Sequence, residues 1–282
     1  MKIIHDAAEL QKTALALRAE GKKIALVPTM GNLHDGHASL MKRARTLADT
    51  LIVSVFVNPT QFGPGEDFEK YPRTFDDDCR VCEGCGADIL FAPAPANIYA
   101  PTFSTFVTEN ACSQGLCGRS RPTHFRGVCT IVSILFNLAL PDVAIFGQKD
   151  AQQAAVIKRM VRDLHFPVEI RVAPIVRADD GLALSSRNRY LTPRERTAAP
   201  LIHATLEKIA DKIDAGESAP AALADFFLKT LGENPLFEPE YIEIVNSSTM
   251  QPLEKIAPGQ TLVAVAVRMT ESRTRLIDNT LA

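Results

Sequence analysis

Short apolar runs alternate with amphipathic stretches along the chain as far as Val176. Lys23 to Thr29 (KIALVPT) and Leu51 to Val57 (LIVSVFV) read as buried strands, and so do Ala87 to Ala92, Asp142 to Phe146 and Val168 to Val176. Between them apolar residues recur at helical spacing. Leu10, Ala14 and Leu17 form one such face, with Gly21 placed to end the helix. His37 to Ala48 forms another through Leu40, Met41, Ala44, Leu47 and Ala48. Thr74 to Gly86, Thr130 to Leu140 and Ala151 to Leu164 continue the series. Apolar strands separated by amphipathic helices predict an α/β fold, a parallel sheet covered on both faces.

The rhythm changes after Val176. Thr192-Pro193-Arg194-Glu195 carries a helix start: Thr as N-cap, Pro in the first turn, Glu closing a capping box. That helix is expected to run to about Ala215, and a second to cover Pro220 to Leu231. Tyr241 to Val245, Thr261 to Met269 and Thr274 to Asp278 read as strands. Helices followed by strands predict a smaller α+β domain, with the boundary between Arg177 and Arg189. The expected division is residues 1–176 and 177–282.

Composition narrows the function classes. The 282 residues are 46% apolar and 23% charged, the balance of a folded globular protein. Lys and Arg total 31 against 33 Asp and Glu, so nothing predicts a nucleic-acid partner. Lys2, Asp6 and Glu9 interrupt the N-terminus, and Asn137, Pro141 and Asp142 break the most apolar later stretch. The expectation is a cytoplasmic protein with no membrane partner, whose six cysteines are thiols.

Five segments carry candidate chemistry. Pro28 to His37 (PTMGNLHDGH) follows a strand and opens a helix, where free N–H groups and the positive dipole end suit phosphate. Gly31 and Gly36 allow close approach, and His34 and His37 add donors. The plainer alternative has one histidine capping the helix and the other on the surface. Asn58 to Arg73 follows the next strand; Asn58 and Gln61 suit a hydroxyl or carboxylate, or belong to an ordinary surface loop. Gly147-Gln148-Lys149-Asp150 offers a point charge and a helix-start carboxylate, with Gln153 a turn further on. Leu184-Ser185-Ser186-Arg187 places two hydroxyls and a guanidinium together, as a triphosphate site or a polar linker would. Arg119 to Gly127 is a basic cluster ahead of a buried helix. Three of the five follow strands of one sheet, which is the physical argument for a nucleotide site. No P-loop and no G-x-G-x-x-G run is present.

Cys79, Cys82 and Cys85 have a spacing that iron–sulfur and zinc sites share. On a helix they form one stripe of small apolar side chains, and with no fourth ligand nearby the expectation is packing and no metal.

Together these segments resemble the pantoate–β-alanine ligase family. The residues that carry the resemblance are PTMGNLHDGH (Pro28 to His37), SVFVNPTQF (Ser54 to Phe62), EDFEKYPRT (Glu66 to Thr74), RPTHFRG (Arg121 to Gly127), FGQKDAQQ (Phe146 to Gln153), DGLALSSRNRYL (Asp180 to Leu191) and RLIDN (Arg275 to Asn279). The family is similar to nucleotidyltransferases and class I tRNA synthetases, whose H-I-G-H signature corresponds to His34-Asp35-Gly36-His37. The resemblance implies a Rossmann-like nucleotidyltransferase domain, a smaller α+β lid domain and a homodimer. It implies an AMP-forming reaction of ATP, with Mg2+, that joins pantoate to β-alanine through an acyl-adenylate. It further implies ATP contacts from Met30, Gly31, His34, His37, Gly147, Gln148, Lys149, Asp150, Val176, Leu184, Ser185, Ser186 and Arg187. Within that set His34 and His37 are implied to bind phosphates, with His37 the expected proton donor, and Lys149, Ser185, Ser186 and Arg187 to stabilise charge on the transferring phosphate. Gln61 and Gln153 are implied to hold pantoate, and Gln61 and Arg121 β-alanine. Gln148 and Thr123 depart from the Glu and Gly frequent at those family positions.

Overall fold

The computed structural model describes residues Met1–Ala282, which divide into two compact units. The first comprises Met1–Asn110, Arg121–Gln148 and Val156–Pro174, and the second Ala111–Ser120, Lys149–Ala155 and Ile175–Ala282.

The elements in chain order are β1 (Lys2–Ile4), α1 (Ala7–Ala19), β2 (Ile24–Thr29), α2 (Asp35–Arg45), β3 (Thr50–Val55), α3 (Phe75–Gly84), β4 (Ile89–Phe91), α4 (Pro95–Ile98), α5 (Cys117–Ser120), α6 (His124–Ala139), β5 (Val143–Gly147), α7 (Ala151–Asp163) and β6 (Glu169–Ala173). There follow α8 (Pro193–Ala198), α9 (Leu201–Asp214), α10 (Pro220–Gly232), β7 (Phe237–Asn246), β8 (Thr261–Met269) and β9 (Arg275–Leu281).

The first unit is built on a six-stranded sheet in the order β1-β4-β3-β2-β5-β6, every pairing parallel. Its central strands are apolar throughout because both faces are covered: Ile24 to Val27 and Leu51 to Val53 are fully buried. On one face Ala25, Val27, Leu51, Val53 and Ile145 pack with Leu40, Met41 and Ala44 of α2. The strand order turns around at β2, which pairs with β3 on one side and with the later strand β5 on the other. In such sheets the crevice beyond the carboxyl ends at this switch point receives ligands.

The second unit carries the antiparallel sheet β7-β8-β9. Leu206, Ile209, Leu223, Phe227, Val263 and Val265 form its core with α9 and α10. The α8 capping box forms as the sequence predicts: Thr192 accepts from Glu195 N, and Glu195 accepts from Thr192 N. The fully buried Glu195 carboxylate also takes the N–H groups of Glu271 and Ser272. Burial pushes its pKa up, but those bonds outweigh burial and hold it below the usual range.

Two expectations about elements need correction, and one element was missed. The helix from Thr192 to Ala215 is two helices, α8 and α9, separated at Ala199-Pro200, because Pro200 has no N–H to continue the ladder. The helix expected from Thr130 starts at His124, so part of the basic cluster forms its first turn. Gly127 and the polar residues there hid that turn from the apolar pattern. β1 carried no signal, since three residues with one buried side chain make no period.

Candidate active site

The chain leaves β2 through Thr29 and turns sharply into α2. Gly31 and Asn32 have φ of +80° and +49°, so two successive residues lie in the left-handed region. A Cβ on Gly31 would stand 2.8 Å from Asp78 Oδ2 and 3.0 Å from Val55 Cγ1, which reserves the position for glycine. His34 is the N-cap of α2. Its Nδ1 accepts from Gly36 N at 3.2 Å, and His37 Nδ1 accepts from His34 N at 3.3 Å. The two rings lie 4.1 Å apart, centroid to centroid. With both Nδ1 atoms accepting, a neutral ring carries its proton on Nε2.

The expectation of free backbone N–H groups here is narrowed, because most donors of the turn are taken. Gly31 N donates to Thr29 Oγ1, Asn32 N and Leu33 N donate to Asp78, and His34 N and Gly36 N donate to the two rings. His34 thus caps the helix, as one half of the plainer alternative has it, and His37 closes the same box. The motif's distinctive groups are its imidazole edges.

β3, the neighbour of β2, leads into the second segment. Gln61 is buried, and its Oε1 accepts from Asn58 Nδ2 at 3.1 Å while its Nε2 donates to Met30 Sδ at 2.9 Å. Asn58 is held in turn: it donates to Gly127 O and accepts at Oδ1 from Tyr99 OH at 2.8 Å. A Cβ on Gly127 would lie 2.5 Å from Thr60 O, so α6 approaches this loop as only glycine allows. Arg121 donates from Nε and Nη2 to the two Glu66 carboxylate oxygens at 2.6 and 2.7 Å, and from Nη2 to Gln61 O. Burial pushes the Glu66 carboxyl up, but Arg121, the Gly63 N–H and the His124 charge together hold it below its ordinary value. His124 Nδ1 donates to Gln61 O at 2.9 Å.

Gly147 and Gln148 end β5, on the other side of β2. The sheet thus brings the exits of β3, β2 and β5 side by side, as the sequence predicts for the three strand-following segments.

Lys149, Asp150 and Gln153 belong to the second unit, with Val176 and Leu184 to Arg187. Val176 and Leu184 are brought together: Leu184 N donates to Val176 O at 3.0 Å, closing the turn through Gly181. Ser185 caps the 3-10 helix Ser186–Tyr190, its Oγ accepting from Arg187 N, and Ser186 is buried. The base of this segment is fixed by Arg177, which forks onto Asp278 at 2.6 and 3.0 Å. Asn279, the next residue, donates to Lys149 O at 3.0 Å. Adjacent residues of β9 thus tie down both segments.

Sequence reasoning missed Asp78, Gln152, Asp278 and Asn279 as supports. Gln152 is buried beside Gln153 and holds the 112–117 loop through Cys117 N, Cys112 O and Gly115 O. A polar residue next to an expected site residue on a helix start was the available signal. The cysteine stripe packs as expected: Cys82 is fully buried in the core, with Cys79 and Cys85 against it. Burial pushes the Cys82 thiol up to about 12, which leaves it a thiol near neutrality.

A parallel sheet with a histidine-bearing helix start at its switch point has the architecture of α/β enzymes that take ligands beyond the carboxyl ends of their strands. The chain matches the model of the family described as Pantoate-beta-alanine ligase over residues 2–281, and it belongs to that family. It is 48% identical to a pantothenate synthetase of Heliobacterium modesticaldum, over 99% of this chain and 98% of the relative. Among solved structures, the pantothenate synthetase of Thermus thermophilus is similar with TM-score 0.92, 42% identity and 99% coverage of both chains. The pantoate-beta-alanine ligase of Francisella tularensis, complexed with "Beta-gamma ATP and Beta-alanine", is similar with TM-score 0.81 and 31% identity, over 100% of this chain and 97% of that one. No helix of the structure is long and apolar enough to cross a membrane.

Proposed function

We propose that the protein condenses (R)-pantoate with β-alanine at the expense of ATP, through a pantoyl-adenylate, releasing pyrophosphate and AMP. The observation that carries this reading is the His34–His37 pair, with both Nδ1 atoms fixed as acceptors, at the switch point of the parallel sheet. The Francisella relative, with ATP and β-alanine in its description, supports the choice of substrates.

An ionised carboxylate has no adequate leaving group, so activation must precede amide formation. A pantoate oxygen attacks the α-phosphorus, and the bond to the bridging oxygen of pyrophosphate breaks. His34 and His37 face charge developing on the phosphates, and His37, its Nδ1 taken by the His34 N–H, donates a hydrogen bond from Nε2–H to the leaving pyrophosphate. Lys149, Ser185, Ser186 and Arg187 stabilise the same charge, while Met30, Gly31, Gly147, Gln148, Asp150, Val176 and Leu184 line the nucleotide pocket. Gln61 and Gln153 hold pantoate by neutral hydrogen bonds. The amine of β-alanine then attacks the acyl carbon, AMP leaves, and the amine loses a proton. Gln61 and Arg121 receive β-alanine, its carboxylate replacing Glu66 on the Arg121 fork.

No group of three or more His, Cys, Asp or Glu side chains is arranged to hold a metal ion, so the Mg2+ we assign to the reaction is the one the ATP phosphates carry. The proposed assembly is a cytoplasmic homodimer, and light scattering on the purified protein checks its mass.

Pyrophosphate release from ATP, Mg2+ and pantoate, with and without β-alanine, tests the reading when paired with mass detection of pantothenate. Sustained release and pantothenate only with β-alanine are expected. Folded protein that binds ATP but ignores pantoate would point instead to a nucleotidyltransferase with a different acceptor.

A further inference from the structure

Asp76, Asp77 and Asp78 open α3, and acidic residues in a first turn ordinarily serve the helix dipole. Asp78 differs from its neighbours. Asp76 and Asp77 are exposed, whereas Asp78 is 1% exposed and faces the turn that leaves β2. Its Oδ1 accepts from Leu33 N at 2.8 Å and from Thr74 Oγ1 at 3.2 Å, and its Oδ2 accepts from Asn32 N at 3.1 Å. The left-handed angles of Gly31 and Asn32 aim these successive N–H groups at one carboxylate, forming the kind of concavity that elsewhere binds an anion. Here the anion is part of the chain.

We propose that Asp78 is a positioning residue for adenylate formation: its carboxylate fixes the Asn32–Leu33 backbone and thereby sets where His34 and His37 present their imidazole edges. The proposal rests on the function proposed above. The linkage is short, since Leu33 precedes the N-cap, and His34 N is the donor that orients His37. Burial raises the Asp78 pKa, and the nearby Asp77 charge raises it further, against the opposing bonds from Leu33, Asn32 and Thr74. The ionised carboxylate is thus held at a net cost to the fold, as befits a group retained for placement and not for stability.

Asp78→Asn keeps the shape but turns an amide donor toward one of the two backbone N–H groups. We expect folded protein whose pantoate-dependent pyrophosphate release falls on the order of 100-fold, the scale of a displacement of about 1 Å. Aminolysis of supplied pantoyl-adenylate by β-alanine should stay within about twofold of the parent rate, because the proposal assigns Asp78 to the first half-reaction alone. A purely structural role would slow both half-reactions together and lower Tm in step. That outcome, or near-parent adenylation by the folded variant, overturns the proposal. If Asp78→Asn does not fold, Thr74→Val decides: it removes one bond to the carboxylate and leaves the backbone bonds, so a selective loss in adenylation supports the proposal and an unselective one or none overturns it. Nitrogen NMR of the histidine rings gives a readout independent of turnover. The protein should show His34 and His37 as Nε2–H tautomers, and the Asp78→Asn variant should lose that signature. Unchanged ring signals would overturn the proposal even if the parent enzyme proved to use another acid, whereas an inactive parent with the expected ring signals would sink only the proposed substrates.

Discussion

The histidine turn of the first unit and the serine turn of the second, both proposed to meet phosphate, hold their side chains by different means. At Gly31 to Gly36 the backbone itself is committed: donors from Gly31, Asn32, Leu33, His34 and Gly36 all have partners in the turn or on Asp78. At Leu184 to Arg187 the anchor sits at the root, in the Arg177–Asp278 fork and the Val176–Leu184 bond, with a small serine cap above it. The first arrangement fixes the direction of two rings. The second fixes where a segment starts. A group that donates along one direction to a developing charge needs the first, whereas groups that neutralise spread charge tolerate the second.

The largest effect should come from His37→Ala, a loss of roughly 10²–10³-fold in pantoate-dependent pyrophosphate release with ATP affinity nearly unchanged. Near-normal turnover by a folded variant would remove His37 from the role of donor to the leaving pyrophosphate. Gly31→Ala should follow, at roughly 10- to 100-fold, because its methyl meets Asp78 Oδ2 and its φ is strained. A harmless Gly31→Ala would mean the turn is not rigid and would erase the contrast with the serine turn. Asp278→Asn breaks a buried fork and should cost about 3 kcal/mol, lowering Tm by roughly 6–12 °C, and should raise the ATP KM more than it lowers kcat. Selective damage to kcat would show that the serine turn, too, is held for direction.

Glu66→Gln should have the smallest effect and the opposite sign for one substrate. It weakens the hold on the Arg121 fork, so the β-alanine KM should fall by roughly fivefold, the scale of about 1 kcal/mol. An increase would mean that Glu66 helps to receive β-alanine. The same pair has a pH signature. Glu66 is held below its ordinary pKa, so its contribution to stability is present above the ordinary carboxylate value and lost as pH falls through the lowered folded value. The Tm gap between the parent and Glu66→Gln should therefore close below about pH 4. A gap constant from neutral to acid pH would contradict the assignment.

The strands of the parallel sheet were legible because burial on both faces leaves an apolar run, and the segments at their exits were legible because His, Gln and Lys at strand ends stand out against it. The supports were not. Asp78 sits in a run of three aspartates whose ordinary explanation is the helix dipole, and only the tertiary path of Gly31 to Leu33 separates it from the other two. Asp278 and Asn279 lie in a strand whose period says which face they take but not what they reach. The capping of α2 by His34 depends on Nδ1 pointing back to Gly36, a direction that the residue order alone does not set. Pro200 was visible, yet the apolar period continued across it and hid the break between α8 and α9.

The most direct test of the acyl-adenylate follows the carboxylate oxygen. Pantoate labelled with heavy oxygen in its carboxylate is turned over with ATP, Mg2+ and β-alanine, and the products are weighed. Attack at the α-phosphorus followed by aminolysis leaves one labelled oxygen on AMP and none on pyrophosphate, which is the predicted result. Label in an inorganic phosphate, with ADP as the nucleotide product, would contradict the account by placing activation at the γ-phosphorus.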